Sequence, residues 1–516
     1  MKISVLQFIF GLFFALTAAA QDGVFKYDLA PCGTQPTKYN DDFLAHQPNF
    51  SRNTDTILYV PLTIHLTATD AGGGRFPVAK MLESFCQLNK DFEPSKIQFY
   101  LAGDIKFENK TAWYNHDSII QGANMMFANN VPNTINIYFC GKAAGNCGYN
   151  LPYGGVCVAK SCAGVDSHTW AHELGHGLRL PHPFLGWEGK TYSNATYAAP
   201  TPTRVTYDYT QFKDSLLTDT LIIDTTFVEL VSSSNCNVAA DQICDSKSDY
   251  LAFRWQCNTT TKKSIQIQKD PENVDFLSDG TLFMSYSFDE CQNRFTDGQI
   301  TTMRNYLRGP KAYLLANQTV PDVVSTLPFQ PLSPIDSVIV PFYNAVQFSW
   351  QAVPNATKYL LQVSKLQDNF NFYTEYLVSG TTKTVTDLLT NRYYFWRVKP
   401  FNTHYFCAAN SARGTFRTST VSGSKDLSLE EEKIQIFPNP TPCGSPIYVG
   451  VESEKGSNLT LKLFDVSGKL LLQQNENTTG AQNTFSFNSS NFEAGIYFLS
   501  IETPLERHFR KIIIVK

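Results

Sequence analysis

At 516 residues the chain is too long for one small module and has length for three to four domains of about 150 residues each. A charged fraction of 17%, with 43% hydrophobic and 13% aromatic residues, excludes an intrinsically disordered chain. The formal net charge of -4 provides no basic footprint for neutralising phosphates, which argues against nucleic acid as a partner.

The chain opens on an export signal, expected over 1–20: Lys2 gives the positive start, Val5 to Leu16 the apolar run, and Ala18-Ala19-Ala20 a small-residue cleavage site before Gln21. That run is shorter than the ~20 residues a membrane span needs, and no later stretch reaches spanning length, so no span is expected in the mature chain. Twelve cysteines in an exported chain predict disulfides. Residues 21–56 are polar and weakly periodic, as in a pro-segment.

Regular structure follows. Ile57 to Leu66 reads as a strand, Pro77 to Leu88 as an amphipathic helix and Ile97 to Leu101 as a second strand. Thr134 to Phe139 and Gly155 to Ala159 add two more, and a helix is expected from Asp166 to Leu178 with Asp166 or Ser167 as N-cap. Cys86 falls on the apolar side of the first helix and reads as a buried thiol. From about Asp336 to Thr420 short strands alternate with turns, an all-β module over 331–420. A polar linker, 421–433, carries the acidic run Glu430-Glu431-Glu432, and a second β module fills 434–516. No repeat at a fixed period is visible.

The chemistry concentrates in His168 to His182, which contains His172-Glu173-Leu174-Gly175-His176 and a further histidine, His182. On a helix His172 and His176 stand one turn apart on one face, so both imidazoles can meet a single zinc ion. Glu173 is rotated by about 100° from His172, within reach of a metal-bound water without being a ligand. Leu180-Pro181 ends the helix and lets His182 return as the third ligand, leaving a fourth position open. The HExxH pattern arises by chance in roughly 0.5% of chains of this composition, and in far fewer once His182 is required. His168, one turn before His172, reads as a supporting or surface histidine.

This HExxHxxxxxH segment resembles the metzincin zinc peptidases. Leu282-Phe283-Met284-Ser285-Tyr286, Cys291 to Gln299 and the stretch from Glu229 through Asn235-Cys236 to Asp245 are similar to the pappalysin-like branch, so the resemblance spans about Ile57 to Leu307. It implies an α/β catalytic domain over 57–320, with a mixed twisted sheet and an active-site helix. It also implies one catalytic Zn2+ on His172, His176 and His182, Glu173 as general base, Met284 as a hydrophobic floor and Tyr286 as an oxyanion stabiliser. The implied reaction is hydrolysis of peptide bonds in extended polypeptides, with the strand at Gly155 to Ala159 placed to pair with substrate as an added antiparallel strand.

Two positions depart from the family. Arg179 replaces a glycine at a turn requiring positive φ, at a cost of about 1–2 kcal/mol. Asp245-Ser246-Lys247-Ser248 departs from the family's Asp-Thr-Pro, so the Ca2+ that the resemblance makes possible there has no clear motif to support it. Cys32, before the first core strand, is either half of a disulfide or, as in similar latent zinc peptidases, a thiolate that plugs the open zinc position of a zymogen. If Cys32 and Cys86 stay free, Cys140, Cys147, Cys157 and Cys162 form one local set and Cys236, Cys244, Cys257 and Cys291 another, with Cys407 and Cys443 remaining.

Trp350, Tyr359, Tyr394, Trp396 and Phe416 resemble the core of a fibronectin type III sandwich, expected to act as a spacer. Ile436-Phe437-Pro438-Asn439-Pro440, Leu463 to Lys469 and Ala494 to Phe498 look like the C-terminal sorting domain of type IX secretion, which makes that machinery a partner and predicts a secreted or cell-surface location. The whole is expected to be multidomain, a catalytic α/β domain followed by two β-sandwiches. Two rivals stand beside the peptidase: a weak or inactive metzincin-fold adhesion or binding protein, and a zinc hydrolase that takes Glu229 as its third ligand.

Overall fold

The structure, a computed structural model, describes residues 28–35, 44, 56–190, 192, 201–213, 218–366, 370, 373–421, 434–452, 458–478, 482–502 and 507–516. The expected export signal, most of the pro-segment and nearly all of the 421–433 linker lie outside them. The chain divides into two compact units. One comprises Met1–Asp336, Ser349–Lys383 and Tyr394–Thr415; the other comprises Ser337–Phe348, Thr384–Tyr393 and Phe416–Lys516.

The first unit is built on a mixed sheet of β1 (Leu58–Ala68), β2 (Ile97–Leu101), β3 (Lys106–Asn109), β4 (Ile135–Cys140), β5 (Gly148–Leu151) and β6 (Gly155–Ala159). Its order is β2-β1-β4-β6-β5, with β3 also pairing with β1. All neighbours are parallel except β5, which runs antiparallel to β6. The central strand β1 is buried at almost every residue, which explains its unbroken apolar run. Four strands anticipated from the sequence are present within two residues of their expected ends. Unanticipated are β3, β5, helix α2 (Ile119–Asn129) and a long hairpin of β7 (Arg204–Lys213) and β8 (Thr218–Phe227).

On one face of the sheet, helices α1 (Val78–Asp91), α3 (Thr169–Gly177) and α4 (Asp297–Arg308) share a core with Val156, Val158, Trp170 and Leu174. Helix α3 starts later than expected. His168 occupies its N-cap position without a side-chain cap, while the Ser167 hydroxyl donates to the Cys162 carbonyl at 2.6 Å and accepts from the Thr169 amide at 3.4 Å. Its end is sharp: Arg179 N–H donates to the His176 carbonyl and Leu180 N–H to the Gly175 carbonyl, both at 3.0 Å, with Arg179 at φ 77°. This paired closure satisfies carbonyls that would otherwise be orphaned and turns the chain back toward the helix.

Strands over 331–418 form a three-stranded and a five-stranded sheet, as a β-sandwich requires. Its expected role as a spacer is not what the first unit shows. Leu360, Phe401 and Phe406 belong to the core that contains α1, with Phe406 stacked on Phe85 at 4.1 Å between ring centroids. Glu375 accepts hydrogen bonds from Val78 N–H at 2.7 Å and Ala79 N–H at 2.8 Å, closing the start of α1. Cys86, expected as a free buried thiol, is disulfide-bonded to Cys407 across 321 residues. The other disulfides, Cys147–Cys162, Cys236–Cys244 and Cys257–Cys291, fall within the two local sets.

In the second unit, Ile434–Phe437, Pro446–Glu452 and Gln482–Asn488 form one sheet. Five further strands, ending in Arg507–Val515, form the other. The two enclose Ile447, Val449, Leu461, Leu463, Leu499, Ile501 and Ile512. Asp465 to Lys469 is the hairpin turn its sequence suggests: Asp465 accepts from the Ser467 and Lys469 amides, and Gly468 takes φ 83°.

Candidate metal centre

Helix α3 delivers His172 and His176 from adjacent turns, and the turn at Arg179 returns His182 to them. The three Nε2 atoms form a near-equilateral triangle with sides of 3.0, 3.1 and 3.3 Å. An ion bound tetrahedrally at about 2.0–2.1 Å would hold nitrogens about 3.3 Å apart, so this triangle fits zinc. Each ring is oriented from behind. His172 Nδ1 meets the Phe283 carbonyl at 2.7 Å, His176 Nδ1 the Leu180 carbonyl at 2.7 Å and His182 Nδ1 the Glu188 carboxylate at 3.0 Å. With the proton on Nδ1 donated outward, every Nε2 lone pair faces the common centre. Burial holds His172 down to about 3 and His176 well below its ordinary value, with the neighbouring imidazoles adding to the effect, so both rings are neutral as ligands must be.

Cys32 completes the group. Its Sγ and one nitrogen from each histidine all lie within 4.8 Å of one another. The thiol is not in a disulfide. Among the described residues this is the group of histidine, cysteine and acidic side chains close enough to hold a metal ion. Glu229 lies outside it, as do Asp241 and Asp245. Glu229 is buried with both carboxylate oxygens unbonded, and burial together with Asp241 pushes it up to about 9. Asp241 instead accepts from the Ser246 hydroxyl and the Ile243 amide. His168 is also outside the group, paired with Asp91 at 2.8 Å.

Glu173 is fully buried beside the triad. Its Oε2 accepts from the Thr34 hydroxyl at 2.8 Å, and its Oε1 has no hydrogen-bond partner. Burial pushes the carboxyl up to about 8 against the lowering influence of Cys32 and Thr34. Met284, with no exposed surface, lies directly under α3, where a Cβ at Gly175 would collide with its sulfur. That close approach explains a glycine in the middle of a helix. The Tyr286 ring stands 5.0 Å from His182 and 5.7 Å from His172, and burial raises its phenol well above the ordinary value. Arg179, expected to be strained, does have positive φ, and its guanidinium lies 5.0 Å over the Tyr306 ring.

The strand beside the centre is not the expected one. Gly155 to Ala159 is hydrogen-bonded on both sides, to β4 and to β5, so it cannot accept another strand. The edge is β5, four residues too short to have been recognised. Residues 30–34 lie along it: Ala30 N–H donates to the Gly145 carbonyl, Cys147 N–H to the Ala30 carbonyl and Gly33 N–H to the Gly148 carbonyl. Asn150 N–H donates to the Thr34 hydroxyl at 2.7 Å, and the Ala30 bridge to Asn146 is parallel. A cleft beside His172 is bounded by Pro31, Tyr286, Gln292, Arg254 and Asp289, the last two 3.9 Å apart.

Residues 435–515 match the family described as secretion system C-terminal sorting domain. This supports export by the type IX system, to a secreted or surface-attached location and with that machinery as a partner. No helix of the described residues is long and apolar enough to cross a membrane. No curated protein matches the chain. Solved structures similar to part of it include the fn3 domain of human contactin 1, at 18% identity over 21% of this chain and 92% of that one, TM-score 0.17. The chicken CNTN1 FN1-FN3 domains match at 10% identity over 37% of this chain and 66% of that one, TM-score 0.14. Scores this low add no argument; the sandwich rests on its own sheets.

Proposed function

We propose that the chain is an exported zinc metalloendopeptidase of metzincin type, made as a zymogen whose own leader closes the active site. The observation that carries this reading is the convergence of three outward-anchored Nε2 atoms with a buried glutamate beside them. When bound, zinc supplies a polarised water and a Lewis acid for the scissile carbonyl. Glu173 is positioned to take the proton of that water and return it to the leaving amine, and its burial raises its proton affinity toward that task. Tyr286 keeps its phenolic proton, so it can donate to the developing oxyanion. The β5 edge, once vacated, offers Gly148 and Asn150 backbone groups to an extended substrate.

The latency reading is supported by residues 30–34: Cys32 Sγ lies with the three histidine nitrogens, the Thr34 hydroxyl donates to Glu173 and the backbone of Ala30 and Gly33 bonds along the edge. The test is zinc content and cleavage of a denatured protein by the full chain and by the chain freed of its leader, each compared with Glu173→Ala. The expected result is one zinc per chain, activity after leader removal, and a fall in kcat of about 10²–10⁴-fold in the variant. Bound zinc without cleavage in any of these forms would move the reading to a binding protein on a peptidase fold.

A further inference from the structure

The sheet has a second core on the face opposite α3. Val156 and Val158 of β6 face the helix, whereas Cys157 and Ala159 point the other way, to pack with Cys140, Tyr138, Tyr149, Met125 and Met126. Cys140 and Cys157 sit on neighbouring parallel strands two residues out of register, since Tyr138 is opposite Cys157 and Cys140 opposite Ala159. Their sulfurs are 3.1 Å apart and both residues are buried. Helix α2 is pressed onto this patch: a Cβ at Gly122 would collide with the Tyr149 hydroxyl and stand 3.1 Å from His116 Nε2.

We infer that Cys140 and Cys157 are the partners of a fifth disulfide, formed before α2 closes over them, that fastens β6 to β4 beneath the candidate active site. Two observations besides proximity support this. His116 is buried beside Cys140, with Nδ1 donating to the Trp113 carbonyl at 2.9 Å and Nε2 lying 2.8 Å from the Tyr149 hydroxyl. Burial raises the Cys140 thiol, but the hydrogen bond from Cys157 and the charge and hydrogen bond of His116 outweigh it and hold it down to about 6. Burial and the Cys140 charge push Cys157 well up. The lowered Cys140 is thereby the readier nucleophile of the pair, and Cys157 the resolving thiol. The second observation is that eight of the other ten cysteines are already cross-linked in a chain carrying a sorting domain, as an oxidising compartment produces.

The exchange is complete with an oxidant of the thiol-oxidoreductase class. The Cys140 thiolate attacks one sulfur of the oxidant's disulfide, giving a mixed disulfide and one free thiolate on the oxidant. Cys157, deprotonated, attacks Cys140 Sγ and expels the second oxidant thiolate. The pair loses two electrons and two protons, and the oxidant becomes a dithiol. Because β6 carries the β5 edge against which Thr34 and Gly33 are held, the bond anchors the wall of the proposed cleft. It also leaves Cys32 as the one thiol of the first unit, with no free cysteine near it to divert it into a disulfide. The inference rests on export and not on the peptidase reading.

The test uses the full chain exported by its own host, alkylated with N-ethylmaleimide under denaturing, non-reducing conditions before peptide mapping. The expected result is that Cys32 and Cys443 are modified, while the Cys140 and Cys157 peptides travel linked and about 2 Da lighter than their reduced sum. Four modified cysteines with the other four disulfides intact would overturn it, as would either sulfur found linked to Cys32. The Cys140→Ala, Cys157→Ala double variant supplies a second readout: it should melt lower than the oxidised parent, and an unchanged melting temperature would remove the anchoring role. Loss of peptidase activity in every form, with the linked peptide present, would sink the proposed function and leave this inference standing.

Discussion

Helices α3 and α1 share one core, yet one is finished mostly by its own neighbours in sequence and the other by residues some three hundred positions away. Helix α3 has its ligands one turn apart and its exit through Arg179 and Leu180 within His168 to His182, with Met284 against Gly175 and the Phe283 carbonyl on His172 coming from farther along. Helix α1 has no acidic residue in its first turn and no side-chain cap of its own; Glu375 supplies the cap and Cys407 the staple. The candidate metal site is therefore largely a local device seated on a scaffold that is not local. The β-sandwich residues Ser349–Lys383 and Tyr394–Thr415 are structural parts of the first unit, whatever else that module does.

The comparison is broken most directly at the staple. Replacing Cys86 and Cys407 by alanine should cost about 2–5 kcal/mol of stability, read as a lower denaturation midpoint, while zinc stoichiometry in the surviving folded protein stays at one per chain. Loss of zinc in protein that remains folded would show that the scaffold shapes the triad directly. Next, Thr34→Val removes a hydrogen bond to a buried carboxylate from the leader's grip, worth about 1.5–3 kcal/mol. Alkylation of Cys32 should accelerate about tenfold or more in the native full chain, and an unchanged rate would show that the Thr34 hydroxyl does not help hold residues 30–34 in place. Glu375→Ala should cost about 1–2 kcal/mol, measured by chemical denaturation, because two amides at the start of α1 lose a charged acceptor. The smallest effect is expected at the local end: Arg179→Gly should raise stability by about 0.5–1 kcal/mol by relieving positive φ, whereas Arg179→Ala keeps the strain and loses the contact with Tyr306. Equal destabilisation by both variants would assign Arg179 a packing role that outweighs its strain.

How much could be read beforehand follows the same division. His172, Glu173, His176 and His182 were legible because helical periodicity and one proline fix their relation within eleven residues, and the positive φ of Arg179 followed from the resemblance, which puts a glycine at that position. The four strands with long apolar runs were legible for similar reasons. Strand β5 was not: Gly148-Tyr149-Asn150-Leu151 is short, mixed in character, and defined by pairing with β6 and the leader instead of by pattern. Reading β6 as the edge followed from missing it. Helix α2 begins at Ser118 with a capping hydrogen bond from Gln121, a signal that was present and overlooked. Cys86 and Glu375 carried no local mark of their roles. An apolar-face cysteine and a strand glutamate become a staple and a cap only when two segments some three hundred residues apart pack together. Thr34 was likewise invisible, since its function depends on facing Glu173 across 139 residues.

The direction in which the leader lies has a further consequence for the proposed zymogen. Its bridge to the edge is parallel, whereas a substrate of such a peptidase pairs antiparallel. An inhibitory segment built from the same polymer as the substrate must avoid being cut by the site it fills, and reversed chain polarity achieves this without any unusual chemistry. Read in that sense, the amides and carbonyls of residues 30–34 meet the edge in the opposite order to those of a substrate, and Cys32 arrives where a scissile carbonyl would otherwise stand. For the proposed zymogen this means a leader that resists the site it fills and is released by a cut outside the cleft.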